Sequence, residues 1–141
     1  MAGTTKAGSS SYGLRNALNK YASTYKFKSK YVVGNVTLSQ QGTWESRIKN
    51  NLITKRKAPI LLYETRYLKR YKGRNIGHYN SIQAWSYNYK TGLKRVKSVD
   101  PHYSKSYFGK HWDNVGSSKK NGAFRSTGKA YRKGGNPNMV Y

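Results

Sequence analysis

The chain has 141 residues, enough for one domain with a core of its own. Lys and Arg number 28 against four Asp and Glu, a formal net charge of +24, and there is no cysteine. This composition excludes a disulfide framework and a cysteine-based zinc site. It also predicts a surface that attracts polyanions: nucleic acid, an anionic cell-wall polymer or an anionic membrane. With 14 tyrosines among the hydrophobic residues, the core should have an aromatic, partly hydrated rim. No apolar run approaches the roughly 20 residues of a membrane-spanning helix. The opening "MAGTTKAGSS" has no apolar segment of the signal-peptide kind.

Residues 1–11 read as a small, polar loop. In "SSSYGLRNALNKYAST" a serine among Ser9–Ser11 is placed to cap a helix. Leu14, Ala17, Leu18 and Tyr21 fall at i, i+3, i+4 and i+7 on one face of it. The same serines stand before a helix, as a nucleophile often does, but capping is their expected role. "YKFKSKYVVG" alternates aromatic or aliphatic residues with lysine and reads as extended; Gly34 and Asn35 read as a turn. "TWESRIKNNLITK" predicts a second helix, with Thr43 as N-cap and Trp44, Ile48 and Leu52 recurring every fourth residue. Glu45 near its start and Lys55 near its end suit the helix dipole.

"APILLYE" is a short, unbroken apolar run behind Pro59, which predicts a buried strand. "RYLKRYKGRNIG" reads as a basic loop. In "HYNSIQAWSYNY" Tyr79, Ser81, Gln83 and Trp85 alternate with Asn80, Ile82 and Ala84. "KTG" is a turn, and "LKRVKSVDP" is the partner strand, so residues 78–99 form a hairpin ended by Asp100-Pro101. "KHWDNVG" suggests a short helical turn, and "GAFRST" a last strand. Residues 117–141 read as a basic tail rich in Gly, Lys, Ser and Asn, partly ordered, with "YRKGGNPN" its flexible end. The division expected is therefore 1–116 for the domain and 117–141 for the tail. The fold class is α+β, two helices followed by an antiparallel sheet.

Four segments carry a resemblance: "ALNKY" at 17–21, "KAPILLY" at 57–63, "GHYNSIQAW" at 77–85 and "VKSVDPHY" at 96–103, with "YFGKHWD" beyond them. In this order and spacing, over most of residues 3–115, the chain resembles the papain-like cysteine peptidases of the bacteriocin-processing, double-glycine type. The opening "GTTKAGSSS" is similar to the loop before the first of these segments. The resemblance implies a papain-like half-fold, thiol-dependent amide hydrolysis, a peptide substrate, no cofactor, and a secreted or cell-surface setting. It places His78 as the catalytic histidine and Asp100 as the carboxylate that orients it. The chemistry suits those residue types: imidazole is the usual general base near neutral pH, and a carboxylate at its far nitrogen fixes the tautomer.

Gly77 would let the backbone approach a substrate, and Tyr79, Trp85, Tyr103 and Trp112 would line the approach. The family's nucleophile is a cysteine opening an earlier helix, with a glutamine nearby. Both belong N-terminal to the segment "GTTKAGSSS", and this chain has no cysteine. Without that segment no peptidase activity is expected from the chain as it stands.

Two other constellations compete for attention. His102, His111 and Asp113 match no standard zinc spacing, so no metal is expected. The basic stretches holding Lys55, Arg56 and Lys57, and Arg66, Lys69, Arg70, Lys72 and Arg74, interleave cations with tyrosine. That composition suits phosphate contacts and base stacking. It supports the alternative reading, a basic binding or structural module for nucleic acid or another anionic polymer.

Overall fold

A computed structural model describes residues 8–131 and 135–141. Among these residues, three helices accompany one six-stranded antiparallel sheet, so the fold is α+β. Helix α1 spans Ser11–Lys20, β1 Val33–Gly34 and α2 Gln41–Lys49, which continues into a π-helical turn at Asn50–Thr54. Strand β2 is Ile60–Glu64, and two 3-10 turns follow at Thr65–Tyr67 and Lys69–Tyr71. Then come β3 (Gly77–Asn88), β4 (Leu93–Asp100), β5 (Gly109–Asn114), α3 (Ala123–Lys129) and β6 (Met139–Val140). The spatial order is β1-β6-β2-β3-β4-β5.

The predicted hairpin forms as β3 and β4, joined through Lys90–Gly92. The apolar run forms β2, which is paired on both sides and buried through most of its length. Ser10 caps α1, its hydroxyl accepting from the Gly13 amide. Helix α2 begins earlier than Thr43 implies: Gln40 is its N-cap and supplies no side-chain cap.

One face of the sheet carries the core. Leu61, Tyr63, Ile82 and Val96 pack there against Trp44 and Ile48 of α2, Phe124 of α3, and Leu68 and Tyr71 of the 3-10 turns. Trp44 meets Phe124 edge-on at 5.7 Å and donates from Nε1 to Thr127 Oγ1. The segment expected to be a basic loop thus holds two fully buried apolar side chains between its cations.

Several expectations need correction. The "KHWDNVG" stretch is strand β5, because pairing with β4 satisfies its backbone. "GAFRST" is helical: α3 buries Ala123 and Phe124 and leaves no room at Gly128, where an added Cβ would lie 2.6 Å from Leu38 Cδ2. The segment 25–32 is irregular, a turn at 25–26 and a bend at 28–29, and β1 is only two residues long and includes Gly34. A register shift between Ile82 and Ala84, a β-bulge at Gln83, reverses the alternation of β3. Trp85 consequently joins the same core as Ile82 and meets Trp44 at 6.4 Å.

The stretch read as a tail enters the core. β6 lies between β1 and β2, pairing Val33 with Val140 and Ile60 with Val140. Asn138, fully buried, accepts from the Val36 amide and donates to the carbonyls of Val36 and Thr127. It thereby stitches the loop after β1, α3 and the C-terminal strand together. Of "YRKGGNPN", residues 132–134 lie outside the described residues, as does the loop reading of residues 1–7.

Candidate functional site

His78 is the second residue of β3, and Asp100 is the last of β4. The ladder pairs Ser81 with Val99, so His78 sits diagonally across from Asp100, within reach of a long side chain. His78 Nε2 lies 2.7 Å from Asp100 Oδ1. Gly77 is exposed at the mouth of the strand.

Asp100 is fully buried and accepts four hydrogen bonds. Oδ1 takes His78 and the backbone amide of His102 at 2.9 Å; Oδ2 takes the Tyr71 hydroxyl at 2.5 Å and Arg70 Nη1. Burial by itself would raise the carboxyl's pKa. The bonds from His78, Tyr71, Arg70 and the His102 amide outweigh burial and hold it well below the usual carboxylate range. An ionised carboxylate only accepts, so Nε2 of His78 carries a proton toward Asp100 and Nδ1 is the nitrogen left for chemistry.

Arg70 is the centre of this arrangement. Its Nε and Nη2 hold Asp113 at 3.0 and 3.2 Å, and Nη2 also donates to Asn80 Oδ1 at 2.9 Å. The second 3-10 turn aims Arg70 and Tyr71 at the ends of β3 and β4. Tyr71 is fixed by stacking on Tyr107 at 4.2 Å, with the rings within 9° of parallel. His102 is a further neighbour, its ring 5.5 Å from that of His78. Its Nδ1 accepts from the Ser104 amide. Burial, and then the neighbouring His78, lower its pKa against the pull of Asp100.

The predicted lining divides. Tyr103 stacks on His102 at 4.5 Å and is widely exposed, on the His78 side of the site. Tyr79 points to the opposite face of the sheet, where its hydroxyl bonds Ser11 Oγ at 2.8 Å. Ser11, buried, also donates to the Pro137 carbonyl, a structural role. Trp85 belongs to the core, as described above. Trp112 sits on the edge strand β5, exposed, with Arg95 and Lys97 over its ring.

The basic residues divide as well. Arg70 is spent on two aspartates, and Lys57 is buried, its Nζ donating to the Lys30 carbonyl at 2.6 Å and lying over Tyr31. Neither is a free polyanion contact. Arg66 is paired with Glu64 at 2.8 Å. Arg56, Lys69, Lys72 and Arg74 are exposed, and Lys55 is half-buried. Among the described residues, no group of three or more His, Cys, Asp or Glu side chains is arranged to hold a metal ion.

Sequence reasoning missed Arg70, Tyr71 and His102 as members of the site. A Lys-Arg-Tyr run reads as surface, and only its 3-10 geometry turns Arg70 and Tyr71 inward. The "DPH" sequence offered a signal for His102, since an aspartate commonly bonds the amide two residues on.

No protein-family model matches the chain, and no curated protein or solved structure matches it. No helix among the described residues is long and apolar enough to cross a membrane.

Proposed function

We propose that the chain carries the histidine–aspartate half of a papain-like, thiol-dependent amide hydrolase of the double-glycine peptidase type. The thiol comes from a polypeptide segment that this sequence does not contain. What carries the reading is the 2.7 Å contact of His78 Nε2 with a buried Asp100 that three further donors immobilise.

In the proposed reaction Nδ1 of His78 removes the proton from the thiol, and the thiolate attacks the scissile carbonyl. The imidazolium returns that proton to the leaving amine, and an acyl thioester remains. A water, deprotonated by the same nitrogen, hydrolyses the thioester and regenerates the thiol. Asp100 stays ionised throughout, holds the ring in one tautomer and stabilises the imidazolium.

The test supplies the missing group as a small thiol. Native protein and the variants His78→Ala and Asp100→Asn are mixed with a peptidyl p-nitrophenyl ester and a simple alkylthiol, and nitrophenolate release is followed. The native dyad should accelerate thiolysis about a hundredfold or more over His78→Ala, the low end of general-base effects. Asp100→Asn should fall close to His78→Ala. Equal rates for native protein and His78→Ala would remove the reading.

A further inference from the structure

A groove of about 1260 Å³ lies between the two 3-10 turns and β5, and every residue from Lys110 to Asn114 lines it. Successive side chains of a strand point to opposite faces of its sheet. Asp113 turns to the core face, where Arg70 holds it. Trp112 turns to the other face, with Arg95 and Lys97 over its ring. A groove that touches residues of both orientations follows the edge of the strand.

That edge is open. β5 is the outermost strand, and among the described residues no strand pairs with its outer side. The Val115 amide donates to the Lys94 carbonyl, and the register continues through Val96 with Asp113 and Ser98 with His111. In an antiparallel ladder bonded and non-bonded pairs alternate. His111 and Asp113 therefore spend their backbone groups on β4, while Lys110, Trp112 and Asn114 point theirs outward. Gly122 closes the Asn114 end, where an added Cβ would lie 2.5 Å from the Asn114 carbonyl oxygen. The amides and carbonyls of Lys110 and Trp112 are left facing the groove.

Lys69 and Lys72 line the groove from the turns; both are exposed, and neither is in an ion pair with a carboxylate. The groove's one acid, Asp113, is consumed by Arg70. From this placement we infer that β5 takes up an extended acidic peptide as an additional strand. Donors and acceptors repeating at every second residue match the backbone of another strand. A phosphate chain only accepts, and leaves the carbonyls of the edge without partners. Alternate side chains of the added strand face the turns, where Lys69 and Lys72 favour carboxylates. A second copy of this chain is a poor occupant, because it brings the same charge of +24 to the contact. The inference is independent of the hydrolase reading.

The test is fluorescence anisotropy of three labelled peptides of about the length of β5, titrated with the protein. One alternates Glu and Val, one Gln and Val, one Glu and Pro. The Glu–Val peptide should bind about tenfold or more tightly than either of the others. Proline at the centre of the edge removes an outward N–H without touching the ladder to β4. Trp112→Pro should therefore bind the Glu–Val peptide about tenfold more weakly than Trp112→Ala, which keeps the N–H. The double variant K69Q/K72Q should weaken the Glu–Val peptide about fivefold or more and leave the Gln–Val peptide unchanged.

A control double, K20Q/K28Q, and His78→Ala should both bind as the native protein does. Thermal melts establish that each variant is folded. Equal binding of the Glu–Pro peptide would overturn the inference, as diffuse charge would then explain affinity. So would equal affinities in Trp112→Pro and Trp112→Ala, or an equal loss in K20Q/K28Q. A dimer in analytical ultracentrifugation that Trp112→Pro abolishes would overturn it as well, since the occupant would then be a second copy.

Discussion

The interior and the exterior of this protein carry opposite charge. All four carboxylates are buried, and each has a cationic partner: Glu45 with Lys94, Glu64 with Arg66, Asp100 with Arg70 and His78, Asp113 with Arg70. Outside, lysine and arginine meet almost no counter-charge. A buried pair interacts through a medium of lower dielectric than water, where Coulomb energy is large and loss of one partner is severe. An exposed cation interacts weakly with its neighbours and is screened by salt. The chain therefore places its few acids where a partner is obligatory, and leaves the outer surface to repel itself and attract polyanions.

Breaking the interior side of this contrast should have the largest effect. Arg70→Met leaves Asp100 and Asp113 buried without their common partner, and should cost about 3–5 kcal/mol in urea unfolding. Next is the uncharged polar link at the C-terminus. Asn138→Ala removes the partners of the Val36 amide and the Thr127 carbonyl, both in the interior, and should cost about 2–3 kcal/mol in the same measurement.

The smallest effect sharpens the contrast at the one lysine drawn inside. Burial, with Lys55 adding to it, lowers the Lys57 pKa from 10.5 to about 8. Between about 8 and 10.5 the native amine has released its proton while the unfolded chain still holds it. The unfolded state then binds more protons, so this group makes stability rise with pH across that window and contributes no slope below it. Lys57→Met should remove that rise, read as the difference between the two proteins' stability–pH curves. A rise of the same size in Lys57→Met would show that the amine is not held in its buried place.

The parts of the fold that were legible are those whose signal is local. The hairpin announces itself through alternation, the Lys90–Gly92 turn and Asp100-Pro101. β2 announces itself as an apolar run, and α1 through its serine cap and four-residue period. The His78–Asp100 contact was legible because both residues sit at strand ends of one hairpin. What was illegible depends on partners far away in sequence. α3 holds a glycine, a serine and a threonine in seven residues, a poor helix by propensity. It is helical because Phe124 and Trp44 bury each other, and because Thr127 accepts from the Trp44 indole.

Taken alone, the amino-acid sequence settled the net charge and pointed to the α+β class and to a hairpin with an imidazole and a carboxylate at its strand ends. These follow from composition and from periods of two to four residues. Only the tertiary structure decided that the last residues form an inner strand, that Gln83 bulges and sends Trp85 into the core, and that Arg70 serves two aspartates. Each of these rests on contacts between segments distant in the chain, whose energy arises when water is excluded between them, and no local pattern encodes that exclusion.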